Sequence, residues 1–179
     1  MNKFFGILVL LISFISCSSD LDFNQSSDLK VNPVFVGNLG SFDFQAPQFV
    51  SSGIEQTLVS DTFLFDIAKY KDLTENLSRA ELDFEFTNTI NRAYLVSINF
   101  LDDKDVKVLP SILMTVPAYS GSPNQVTRKE IFENAELDKF RLTHKIGFEV
   151  LMLPGTPLTN TSLGSLKMRS SATIYFLTK

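Results

Sequence analysis

Three acids at alternate positions, Glu81, Asp83 and Glu85 in "AELDFEF", are the first residues whose spacing could do chemistry. On a strand, side chains two apart share a face and stand about 7 Å from each other, at a rise of ~3.3 Å per residue. Such a ridge could hold a cation or dock a basic partner. Its carboxylates would share a calcium ion only with help from another strand, and the plainer reading is a solvated outer face. Asp102, Asp103 and Asp105 crowd a second stretch, "DDKD". It lacks the further oxygen ligands and the glycine of a helix–loop–helix calcium loop. Aspartate also favours turns, because its carboxylate accepts from nearby backbone N–H groups, so a turn is expected here. His144 is the one histidine. A catalytic role would need a nucleophile and an orienting acid beside it, and the chain has no G-x-S-x-G elbow. "GNLG" (37–40) and "PGTP" (154–157) lack phosphate-binding spacing and read as turn or bulge material. One histidine and one cysteine leave few ligands for zinc or iron. No catalytic, cofactor-binding or metal-ligating residue is assigned, and the protein is not expected to be an enzyme. A glycosidase-like carboxylate pair is the enzymatic arrangement that the sequence leaves open.

The bulk properties narrow the field further. A chain of 179 residues holds one domain plus a targeting segment. A hydrophobic fraction of 44% supports a packed core. Net charge is −4, and without residues 1–16 the balance is 15 basic against 20 acidic side chains. An acidic chain repels phosphate backbones, so nucleic acid is not an expected partner. There are 17 phenylalanines and no tryptophan, and Tyr70, Tyr119 and Tyr175 are scattered. Most phenylalanines fall in core phase, which favours packing over sugar-stacking platforms.

The single cysteine, Cys17, cannot form an internal disulfide. It follows "MNKFFGILVLLISFIS", with one positive charge at Lys3 and an apolar run from Phe4 to Ile15. That is the layout of a secretory signal peptide. Twelve helical residues rise ~18 Å, short of a ~30 Å hydrocarbon core, so a membrane-spanning helix is disfavoured. "FISC" resembles the lipobox of bacterial lipoproteins: Ile15, Ser16 and Cys17 fit the pattern, and Phe14 stands where leucine is usual. The resemblance implies cleavage before Cys17 and lipid attachment at Cys17. Two or more acyl chains anchor a protein stably, at ~0.8 kcal/mol per buried methylene. Residues 1–16 are thus expected to be a lipoprotein signal peptide. Residues 17–32, with the polar "SSDLDFNQSSD", would be the lipidated cysteine and a flexible tether. Acids soon after the cysteine resemble in part the surface-export signal of Bacteroidota-type lipoproteins.

The rest reads as strands, because apolar and polar residues alternate. "AELDFEF" puts Leu82, Phe84 and Phe86 on one face, and "AYLVSINFL" (93–101) puts Tyr94, Val96, Ile98 and Phe100 on one face. Pairing Phe86 with Tyr94, Phe84 with Val96 and Leu82 with Ile98 makes a hairpin in which core faces core. A second hairpin would run through 102–105. Further strands are expected at 33–44, 57–67, 125–132, 144–153 and 166–177. The strand 111–117, bracketed by Pro110 and Pro117, belongs at an edge, since proline cannot donate to a ladder. One short helix is expected at 134–142, capped by Asn134. The long link 154–165 suits a crossing between sheets.

Residues 33–179 are therefore expected to form an all-β domain, an antiparallel β-sandwich of about seven or eight strands with an immunoglobulin-like Greek key and one short helix. A small barrel is the alternative. The expected role is a lipid-anchored module of the outer membrane, facing the periplasm or the cell surface. It would contact the membrane through its lipidated N-terminus and act structurally or on an envelope protein partner. The alternative is a ligand-binding accessory lipoprotein, taking a glycan, a peptide or an apolar molecule held between the sheets.

Overall fold

The computed structural model of the protein describes residues 32–65 and 71–177. The expected signal peptide, Cys17, the tether up to residue 31 and Tyr70 lie outside the described residues. From Val34 the order is β1 (Val34–Gln45), a 3-10 turn (Ala46–Phe49), β2 (Val50–Ser51), β3 (Ile54–Glu55), β4 (Leu58–Leu64), α1 (Lys71–Asn76) and β5 (Leu77–Asn88). Then come β6 (Tyr94–Leu101), β7 (Ile112–Val116), β8 (Asn124–Phe132), α2 (Asn134–Phe140), β9 (Lys145–Met152) and β10 (Ser165–Phe176). The eight longer strands make two four-stranded antiparallel sheets, β1-β10-β5-β8 and β4-β9-β6-β7. The short β2 and β3 form a hairpin over Ser52 and Gly53, whose φ values of 52° and 78° suit a two-residue turn of the primed type.

The antiparallel sandwich is as expected, and the strand order is that of a jelly roll. Taken in chain order, the eight long strands run first, eighth, third, sixth in one sheet and second, seventh, fourth, fifth in the other. An immunoglobulin-like sheet sets its first two strands side by side. Here β1 and β4 lie in different sheets, so that ordering is corrected. The reason is that alternation decides which face a strand buries, and either sheet satisfies it.

The same reason undoes the expected 80–101 hairpin. β5 pairs with β10 and β8, whereas β6 pairs with β7 and β9. Leu82, Phe84, Phe86, Tyr94, Val96, Ile98 and Phe100 are all buried, but across the sandwich rather than along one ladder. The stretch after β6 folds back as foreseen, with the Val108 N–H donating to the Phe100 carbonyl and a bridge between Leu101 and Lys107. β7 is an edge strand, as its flanking prolines imply. Helix α2 ends at Phe140, and Asn134 does not cap it: Asn134 is its first residue, at φ 51°, behind Glu133.

Aromatic packing fills the space between the sheets. Phe148 stacks on Phe63 (4.8 Å) and meets Phe42 and Phe84 edge-on. Phe132 stacks on Phe140 at 4.6 Å, and Phe100 meets both. Fully burying a side chain of this size stabilises by about 1.5–3 kcal/mol. At one end, buried Arg92 ties two sheet crossings together. Its Nε donates to the Leu153 carbonyl at 2.5 Å, its Nη1 donates to the Thr156 carbonyl, and Glu55 pairs with it at 3.3 Å. The link 153–164 does cross from one sheet to the other, as expected. It ends at Gly164, at φ +101°, where a Cβ would stand 2.3 Å from the Thr89 carbonyl oxygen.

Candidate functional site

The acidic ridge lies on the outer face of β5, and opposite charges hold it. Glu81 is nearly buried. It takes the Lys129 ammonium at 2.9 Å, the Arg79 guanidinium at 2.7 Å and the Tyr175 hydroxyl, which donates at 3.2 Å. The Lys129 hydrogen bond holds the Glu81 carboxyl below its usual range, against an opposing push from burial, and Tyr175 and the two cations reinforce it. The same bond, aided by Asp83 at 3.5 Å, holds Lys129 above its usual range. Two strands thus bring the partners together, since Asp83 faces Lys129 across the β5–β8 ladder. Among the described residues no group of three or more His, Cys, Asp or Glu is placed to hold a metal ion.

Beside the ridge, a groove of about 560 Å³ runs over β1, β10, β5 and β8, lined by Asn38, Glu85, Thr127, Lys129, Arg169 and Ser171, among others. Glu85 and Arg169 are direct neighbours across the β5–β10 ladder. Neither makes an ion pair among the described residues, whereas Lys129, Lys167 and Arg128 beside them are all paired. Outside any ion pair, the groove therefore offers one guanidinium and one carboxylate, with several hydroxyl and amide groups beside them. Alternation in "LKMRSSATIYFL" (166–177) turns Lys167 and Arg169 outward, and only the ladder shows what they face.

Turn chemistry accounts for 102–105. Asp102 Oδ1 accepts the N–H groups of Lys104 (2.9 Å) and Val106 (2.8 Å). Its carboxyl is held below the usual range first by the Val106 N–H, against burial, then by Lys104 and by the charge of His144. Asp105 pairs with Lys145 at 2.7 Å, and Asp103 is exposed. His144 precedes β9; its backbone N–H donates to Leu101 and its carbonyl accepts from Phe65. "GNLG" lies within β1, where the register slips between Asn38 and Gly40, so it is a bulge. "PGTP" belongs to the crossing that Arg92 anchors.

The sheet edges form the second candidate surface. Edge strands are normally guarded by charge, proline or shortness. β8 carries Arg128, Lys129 and Glu130; β7 is five residues long, with Pro110 and Pro117 about it; β4 carries Asp61 at its centre. β1 follows Pro33 and bulges at Asn38–Gly40, but it carries no charge over Val34–Phe42, and Val34, Phe35 and Val36 are 51%, 59% and 75% exposed.

No protein-family model matches the chain, and no curated protein matches it. Solved structures show loose likeness. The infectious bursal disease virus VP2 subviral particle aligns at 12% identity and TM-score 0.46, over 82% of this chain and 33% of that one. A Parabacteroides distasonis protein described as secreted aligns at 12% and 0.44, over 64% and 36% respectively. Desmodium yellow mottle tymovirus aligns at 10% and 0.36, over 83% and 90%. The chain spans about a third of the first of these.

Proposed function

We propose that the protein is a lipid-anchored β-sandwich of the bacterial cell envelope, held at the outer membrane through Cys17, and that it works as a protein-interaction module. The observation that carries the interaction reading is the unguarded β1 edge. It is a long strand whose first nine residues carry no charge and whose first three are apolar and exposed, while β4 and β8 carry charges along their middles and β7 is only five residues long. An open strand edge offers backbone N–H and C=O groups to another chain, and the adjacent side chains give selectivity. The Phe4–Ile15 run and "FISC" support the anchor.

Two measurements test this reading. Intact mass of the protein from native membranes should lack residues 1–16 and carry acyl chains, and Cys17→Ala should lose both the added mass and membrane association. An unmodified mass sinks the anchor. Chemical cross-linking in intact cells should join the unaltered chain to a partner, and Val36→Lys should abolish that product. Equal cross-linking of the two sinks the edge as the interaction surface.

The groove on the outer face of β5 and β10 favours a second reading, an accessory role for a polar, acidic ligand that pairs with Arg169. The filled interior argues against an apolar molecule between the sheets. Acidic oligosaccharides should then raise the melting temperature of the unaltered chain and leave Arg169→Ala unmoved.

A further inference from the structure

The free edge of β1 is complementary to itself. The Pro33 carbonyl accepts the Phe176 N–H at 3.0 Å, which places residue 33 in a hydrogen-bonding position toward β10. The ladder runs unbroken from Val34↔Tyr175 to Asn38↔Ser171 before the bulge. Antiparallel alternation then turns the backbone groups of Phe35 and Gly37 toward β10 and those of Val34, Val36 and Asn38 outward. Among the described residues nothing pairs with that outer edge.

We propose that two copies of the chain pair β1 to β1, antiparallel, about a two-fold axis at Val36, joining two four-stranded sheets into one. The inference rests on the interaction-module reading and names its partner. In this register Val36 faces Val36 of the second copy, Val34 faces Asn38, and Phe35 faces Gly37. The Phe35–Gly37 match carries the argument. The Phe35 ring is 59% exposed, and nothing lies within 4 Å of where a Cβ at Gly37 would stand. Both face the inner side of the sheet, as their partners Ile174 and Ala172 do. Each copy thus offers a ring and a gap, and a two-fold axis brings each ring over the other copy's gap. A two-fold pairing also sets like on like, so a charged strand would repel itself. Val34–Phe42 contains no charge.

The ladder would hold about six backbone hydrogen bonds, two for each outward-facing pair. A ladder of about five residues a side is far smaller than the ~20–30 residues a side of a stable interface, so the pair is weak in free solution and gains from confinement of both copies to one membrane. The geometry suits that confinement. The two Val34 residues would lie about 14 Å apart, from four steps of ~3.3 Å and one strand spacing of ~4.8 Å, so both chains enter beside the axis.

The test uses the full chain in native membranes, with Val36→Cys under mild oxidation. Directly opposed Cα atoms in a hydrogen-bonded pair stand ~5.5 Å apart, within reach of a disulfide. The expected product is a disulfide of two copies. It should be missing from the unaltered chain, whose one cysteine, Cys17, has its sulfur committed to the lipid on the proposed reading, and from Leu113→Cys on β7. Adding Gly37→Lys to Val36→Cys fills the gap with a charged side chain and should abolish the product. A disulfide from Val36→Cys to a different protein overturns the second-copy proposal and leaves the interaction reading standing. No product of any kind overturns the use of this edge altogether.

Discussion

Replacing Arg92 with methionine keeps much of the stem and removes every donor. The guanidinium is 6% exposed and serves the Leu153 and Thr156 carbonyls and the Glu55 carboxylate. Glu55 has a second tie, accepting the Leu158 N–H at 2.7 Å. Removing one member of a buried pair typically costs about 3–5 kcal/mol, because the other charge stays buried and unpaired. Glu55 keeps 24% of its side chain exposed, so water offsets part of that, and the expected loss is about 3 kcal/mol. With a urea slope of about 2 kcal/mol per molar, the midpoint should fall by about 1.5 M with the slope unchanged. Glu55→Gln keeps an acceptor for both donors and should cost about 1 kcal/mol. The double variant should cost less than the two single losses added, since Glu55→Gln removes the charge that Arg92→Met strands. An Arg92→Met loss under about 0.5 kcal/mol, or strict additivity in the double variant, would refute the view that this pair fastens the crossings.

The remaining predictions concern single sites. Tyr94 is fully buried and its hydroxyl has no hydrogen-bond partner among the described residues, while burial pushes its pKa up; Tyr94→Phe should raise stability by about 1 kcal/mol in urea unfolding, and a comparable loss would show that the hydroxyl is satisfied. Gly164→Ala combines a positive φ with a Cβ 2.3 Å from a carbonyl oxygen, and should lower stability by at least about 2 kcal/mol; an unchanged melting curve would contradict the close approach. Glu81 has a lowered carboxyl pKa in the folded chain, so its contribution is present above the unfolded value of about 4.3 and is lost as pH falls through the folded one. Urea midpoints measured from about pH 6 down to 2 should therefore fall less steeply for Glu81→Gln than for the unaltered chain, and parallel curves would sink the assignment.

The sequence exposed the faces of the strands far better than their partners. Leu82, Phe84 and Phe86 were legible as core from a two-residue period, and so were Ile146, Phe148, Val150 and Met152. Whether β5 lies beside β6 or across from it was not legible, because both arrangements bury the same side chains. The deciding features are distant. β1 and β10 are twelve residues each and zip together along their whole length, which draws the two ends of the domain into one sheet. Arg92 was equally hidden: a lone arginine in a polar loop reads as solvated until the Leu153, Thr156 and Glu55 oxygens are seen around it. The acidic ridge was placed correctly on an outer face. Its cations came from β8 and from its own strand, in a lattice that only the ladder register fixes.

The topology also explains why the unguarded edge belongs to β1. In this order of strands each sheet has two ends, and β1 is the end strand nearest the N-terminus. The chain that enters the domain there bears Pro33, and its next nine residues carry no charge, so protection of this strand cannot come from its own side chains. It must come from whatever lies beside it. Aggregation would punish a bare apolar edge in a freely diffusing protein. A membrane tether changes that balance, because it limits which chains approach, from which side and in which orientation. The proposed anchor and the bare edge, read from separate parts of the chain, would therefore explain each other: confinement would make a weak strand-to-strand contact useful, and the contact would give the confinement a purpose.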